Sequence, residues 1–108
     1  TINSDTLLIV VDTHKIDLVE SSAILEKVSK VAIIDHHRRG TEAIENALLT
    51  FQEVYASSAS ELVTEILQYS EINIEIPTLV AECLYAGILT DTKNFTQKTG
   101  VRTLQAAA

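Results

Sequence analysis

A chain of 108 residues with 46% hydrophobic and 21% charged content is one globular domain or a piece of one, which excludes a disordered, repetitive or low-complexity segment. Its net charge of -7 excludes broad electrostatic attachment to long nucleic acid or anionic lipid, because that attachment needs clustered Lys and Arg. No apolar run nears the roughly 20 residues of a membrane span, and no basic segment precedes a cleavage site, so these residues themselves read as soluble and free of membrane contact. The single Cys83 offers no disulfide, fits a reducing cytoplasm, and reads as a small buried helical residue. The chain opens on Thr1 without methionine and closes on an unfinished helical pattern, so a fragment of a longer protein is expected.

Residues 6–11 (TLLIVV) are a continuous aliphatic run, too short for most helices, and end on Asp12 with Thr13 and His14 behind it. Ser21 and Ser22 then suit the start of a helix, with Ile24, Leu25 and Val28 at helical spacing and Lys27 and Lys30 toward its carboxyl end. Residues 31–34 (VAII) repeat the first pattern and run into Asp35, His36, His37, Arg38 and Arg39. Strand, helix and strand within about 30 residues predict a right-handed crossover between parallel neighbours. Asp12 and the Asp35-His36-His37 cluster are therefore placed on one edge of a mainly parallel sheet. Ligands of open α/β sheets bind outside that edge. Aspartate and imidazole together suit Mn, Zn or Fe, and the arginines suit phosphate, whereas satisfied strand-end histidines are the structural alternative.

Residues 41–46 read as a loop with a short helical turn, and 48–54 (LLTFQEV) as a further strand. Ser58 with Glu61 three positions on is a capping-box pattern, opening an amphipathic helix through Leu62, Val63, Ile66, Leu67 and Tyr69. The Ser57-Ser58 segment at its start either caps the helix or holds a phosphate. Residues 71–75 suggest a short extended connector, and Pro77 opens a long helix that is apolar on all sides to about Leu89 and is expected to pack deep. Asp91 follows at the negative end of that helix dipole, where an acid is disfavoured by about 0.3–1 kcal/mol, which marks it as a functional candidate.

Together the segments VDTHK (11–15), IDHHRRG (34–40), YASSASELVTE (55–65) and GILTDTKNFT (87–96) resemble the DHH phosphoesterase superfamily in order and spacing across essentially the whole chain. Within it they look most like the cyclic-di-AMP phosphodiesterases of the GdpP type, which carry membrane helices and sensory domains ahead of the catalytic module. The resemblance implies an α/β fold with a mainly parallel sheet flanked by helices. It also implies a two-metal Mn site in which Asp12 bridges the ions and His36 and Asp91 complete one of them. By the same resemblance His37 faces the substrate phosphate, Asp35 orients an imidazole, and Arg38 with Ser57 and Ser58 contacts phosphate. Arg39 reads equally as a solvated surface residue, and local roles suffice for His14 and Glu61.

The implied reaction is hydrolysis of a cyclic dinucleotide, cyclic-di-AMP, to linear pApA, in a cytoplasmic module of a membrane-anchored protein. Residues 1–5 lack the superfamily's first histidine-and-aspartate motif, and no glycine-rich substrate-binding domain follows Ala108. Residues 1–108 are thus expected to be a partial domain, truncated at both ends and inactive alone. Exposed apolar sheet surface then predicts a homodimer or altered packing. Two alternatives stand beside this reading: an oligonucleotide phosphodiesterase or pyrophosphatase of the same superfamily, and a non-catalytic nucleotide- or protein-binding module.

Overall fold

The two aliphatic runs do form parallel neighbours. In the computed structural model, which describes residues 1–108, strands β1 (Leu7–Val11), β2 (Lys30–Asp35) and β3 (Leu49–Gln52) make a sheet of order β1-β2-β3 with both pairings parallel. The register sets Val11 beside Ile34 and Asp35 beside Gln52, so all three carboxyl ends lie along one edge. These strands belong to the first of two units, Thr1–Val54; the second is Tyr55–Ala108.

The core of the first unit is Val10, Val28, Val31, Ile33 and Ile44, with Leu8, Val19, Ile24 and Leu25 packed against it. Val31, Ala32 and Ile33 are buried because β2 is the central strand. On the edge strand β1 the alternation becomes visible: Val10 is buried, whereas Leu7, Ile9 and Val11 remain about half exposed, as the period of two requires when one face is covered.

The crossover between β1 and β2 departs from expectation. In place of an α-helix it uses two tight 3-10 turns, Ile16–Leu18 and Ser22–Glu26, and Ser21 makes no side-chain cap. Fewer than ten residues separate Ser21 from β2, and a helix that short is marginal because nucleation fixes several residues for one hydrogen bond. The apolar spacing of Ile24, Leu25 and Val28 still serves, since it turns those residues onto the sheet. Residues 41–46 form a loop without a helix, held by a bridge between Lys15 and Ala43 and by bonds from Ile44 N to His14 O (2.7 Å) and from Ile16 N to Glu42 O (3.1 Å).

The second unit holds α1 (Ala59–Gln68), α2 (Thr78–Thr92) and α3 (Val101–Ala107). The capping pattern delivers one of its two bonds: Ser58 Oγ accepts from Glu61 N at 3.1 Å. Residues 71–77 contain no strand. Arg102 forks onto Glu65 at 2.8 and 2.6 Å, tying α3 to α1.

The expectation that α2 packs deep is overturned. Only Ile88 and Thr92 are buried, while Leu79, Val80 and Tyr85 are exposed, and Cys83 is exposed where a buried residue was expected. An evenly apolar helix has no preferred side, and within this unit α1 and α3 cover only one stripe of it. Where α1 meets α2 the approach is close: a Cβ on Gly87 would lie 2.1 Å from Ser60 Oγ and 2.9 Å from Ser60 Cβ. Rotating the hydroxyl cannot relieve the second contact. Gly87→Ala is therefore expected to force α1 and α2 apart and to cost about 1–3 kcal/mol in denaturant unfolding, and an unchanged midpoint would contradict that packing.

Candidate metal centre

The sheet edge determines which side chains meet. Asp12 follows directly on β1, its N–H donating to Ile34 O at 2.9 Å, and Asp35 is the last residue of β2. Asp12 adopts a left-handed backbone, φ 64, a conformation that aspartate tolerates better than most residues because its short side chain bonds locally. Such outliers cluster at functional sites. Here the turn leaves the Asp12 carboxylate 63% exposed with Oδ1 3.2 Å from Nε2 of buried His36.

Asp35 is wholly buried and differently employed. Its Oδ2 meets His14 Nδ1 at 2.5 Å, and its Oδ1 meets His37 Nδ1 at 2.6 Å while also accepting from the backbone N–H groups of His36 (2.9 Å) and His37 (3.3 Å). Burial acts to raise the Asp35 pKa, but the bonds from His14 and His37 outweigh it and hold the carboxyl below its ordinary value of 3.8. His36 and His37 have ring centroids 4.2 Å apart, and the His37 side chain is 55% exposed. Potential ligand atoms of Asp12, Asp35, His36 and His37 all lie within 4.8 Å of one another.

Carboxylate oxygen with imidazole nitrogen is a donor set that suits Mn, Zn or Fe, so the cluster fits a divalent metal. Asp12 and His36 are the members best placed to hold one: one is open to an ion and the other brings its nitrogen beside the same oxygen. The oxygens of Asp35 are already met by four N–H donors, which casts it as the group that fixes the histidines.

Of the other sequence candidates, Arg38 and Arg39 follow the histidines and are exposed. Asp91, Ser57 and Ser58 belong to the second unit. Asp91 is partly buried on the last turn of α2, just before a left-handed turn in which Lys93, Asn94 and Phe95 have φ 47, 57 and 63. Buried Thr92 braces that turn, its hydroxyl donating to Ile88 O at 2.7 Å and accepting from Phe95 N at 3.0 Å. Ser57 and Ser58 are buried with their hydroxyls 3.3 Å apart, and buried Glu61 has one oxygen, Oε1, that meets no donor.

Two further participants have no site role in the sequence, where His14 reads only as making a local hydrogen bond and Gln52 only as a strand residue. His14 is 2% exposed and bridges Asp35 to the Gly40 N–H, which donates to its Nε2 at 2.8 Å. Gln52, at the end of β3, donates from Nε2 to His37 O at 2.6 Å. A polar residue closing a third parallel strand was the available signal for Gln52.

The chain is 49% identical over 106 residues to the cyclic-di-AMP phosphodiesterase GdpP of Bacillus subtilis, a match covering 98% of this chain and 16% of that protein. It is 42% identical over 107 residues to the cyclic-di-AMP phosphodiesterase PdeA of Listeria monocytogenes, covering 99% of this chain and again 16% of the relative. The chain thus spans about a sixth of the length of these curated relatives. Among solved structures, an exopolyphosphatase-related protein from Bacteroides fragilis superposes with a TM-score of 0.79 at 25% identity, over 94% of this chain and 31% of that one. Residues 1–88 match the DHH family, N-terminal domain, so the α/β sheet with its Asp-His-His edge belongs to that family.

Proposed function

We propose that this chain is part of a Mn-dependent phosphodiesterase that opens cyclic-di-AMP to linear pApA. The observation that carries the reading is the meeting of Asp12 and His36 at the carboxyl edge of parallel strands, in a chain 42% to 49% identical to two cyclic-di-AMP phosphodiesterases. In this reading Asp12, His36 and Asp91 serve one ion, with Asp12 shared by a second. The remaining ligands of that second ion and the substrate-binding domain belong to the rest of a protein anchored in the membrane, with this domain on the cytoplasmic side. No helix of this chain is long and apolar enough to cross a membrane. The exposed row Leu7, Ile9 and Val11 supports self-association of the chain when it is separated from that context.

A pair of Mn ions, when bound, lowers the pKa of water and offsets the phosphate charge. The chain's own residues do the rest. Asp12 and His36, whose ligand atoms lie 3.2 Å apart at the sheet edge, would hold the cation charge, and the exposed ring of His37 would face the phosphate. Arg38 adds fixed positive charge beside it, and Ser57 with Ser58 contributes hydroxyls and helix-start amides. Asp35 keeps the histidine rings from turning.

The test is hydrolysis of cyclic-di-AMP, a short linear oligonucleotide and pyrophosphate by the complete protein with Mn, beside Asp91→Asn. The expected result is preferential cleavage of the cyclic dinucleotide, reduced about 100-fold or more in the variant, and little turnover by residues 1–108 alone. Faster cleavage of pyrophosphate or of the linear strand would move the substrate elsewhere in the superfamily. No hydrolysis by folded, metal-loaded protein would leave a binding module.

A further inference from the structure

The mechanism above gives His14 no task, although it is among the most buried polar side chains of the first unit and lies at the back of the site. Its bonding leaves little freedom in where its proton sits. The backbone N–H of Gly40 can only donate, so Nε2 of His14 accepts; an ionised Asp35 can only accept, so Nδ1 of His14 donates. The same logic applied to Asp35 Oδ1 makes Nδ1 of His37 a donor as well, which turns Nε2 of His37 away from the buried carboxylate. Gln52 closes the arrangement from β3, its Nε2 donating to the carbonyl of His37 at 2.6 Å.

We infer that His14 is a positioning residue for His37: by tying down one oxygen of Asp35 it makes the other oxygen fix which ring nitrogen His37 presents to the substrate phosphate. The inference rests on the phosphodiesterase reading for its consequence, though not for its geometry. Three anchors make the chain of bonds stiff. The loop bearing Gly40 is pinned to residues 14–16 through Ile44 and Glu42, Asp35 ends the central strand, and the Asp35 carboxylate is shut off from water. Without the donor at Oδ2 the carboxylate keeps only the donors on Oδ1 and gains play about its terminal torsion, which loosens the hold of Oδ1 on the His37 ring and on its tautomer. Groups that orient site histidines in this way are typically worth 10- to 100-fold when removed.

The experiment compares His14→Ala with His14→Asn in the complete protein labelled with nitrogen-15 histidine. An asparagine amide matches the position of the imidazole Nδ1–H, so it restores the donor to Asp35 and gives up only the acceptor for Gly40. Long-range proton–nitrogen spectra of the metal-free protein should show neutral His37 protonated at Nδ1 in the wild type, mixed between its nitrogens in His14→Ala, and mainly at Nδ1 again in His14→Asn. With Mn and cyclic-di-AMP, kcat should fall about 10- to 100-fold in His14→Ala with KM within about threefold, and His14→Asn should recover at least about fivefold of that loss. If His14→Ala does not fold, His14→Gln replaces it, since it fills the space without a donor at the Nδ1 position.

A folded alanine or glutamine variant whose His37 tautomer and kcat match the wild type overturns the inference. So does an asparagine variant that folds yet restores neither. The spectra need no substrate: the expected tautomers in a protein that cleaves no phosphodiester would remove the substrate reading and leave the positioning role standing.

Discussion

Asp12→Asn is expected to abolish Mn-dependent hydrolysis by the complete protein while leaving the fold intact. The substitution is nearly isosteric, and asparagine accepts the left-handed backbone at φ 64 as readily as aspartate, so it removes charge without adding strain. The side chain is 63% exposed, and its contact to His36 at 3.2 Å is modest, so unfolding stability should change by no more than about 0.5 kcal/mol. Activity should respond very differently. If the cation's charge contributes several kcal/mol of transition-state stabilisation and Asp12 holds it as proposed, loss of the Asp12 carboxylate should lower the rate about 1000-fold or more. Mn titration by calorimetry should show the cause directly, with affinity lost in Asp12→Asn and in His36→Ala. Asp12→Ala is the poorer probe because it adds a backbone penalty at a positive φ. A variant that keeps Mn affinity and turnover would remove Asp12 from the metal site altogether.

The parts of this structure that were legible in sequence share one physical basis. An aliphatic run that stops abruptly at an acid marks both a strand and the place where polar groups must emerge, so β1, β2 and the meeting of Asp12 with Asp35, His36 and His37 followed from residues 6–12 and 31–37. Ser58 and Glu61 marked the start of α1 because capping is a local interaction across three residues.

What was not legible depends on partners distant in sequence. The spacing of Ile24, Leu25 and Val28 suits a turn of 3-10 helix as well as α-helix, and only the space before β2 decides between them. The apolar composition of α2 says nothing of how many neighbours exist to cover it, which is why Leu79 and Cys83 are exposed. His14 reads as an ordinary turn residue until Asp35, 21 positions away, is brought against it. The same holds for Gln52, whose bond to the His37 carbonyl spans 15 residues.

Asp35 makes the second large effect, and its sign can be worked out. Burial favours the neutral acid, yet donors from His14 and His37 prevail and place the folded pKa below 3.8. A carboxyl depressed on folding contributes stability that is fully present above its unfolded value and is lost as pH falls through the folded one. The Asp35 contribution should therefore be constant above about pH 5 and disappear progressively below 3.8. Asp35→Asn keeps the shape but offers only one acceptor atom and sets an N–H against one of the two histidine donors. It should cost about 1.5–3 kcal/mol in urea unfolding at pH 7, the range for bonds to a buried charge. Because the other carboxylates titrate alike in both proteins, the difference between the two stability curves isolates this residue, and it should narrow steadily as pH is lowered past 3.8. A difference that stays constant in acid would mean that Asp35 is held by its shape and not by its charge. In that case the bonds to His14 and His37 could not be what keeps the rings of this site in place.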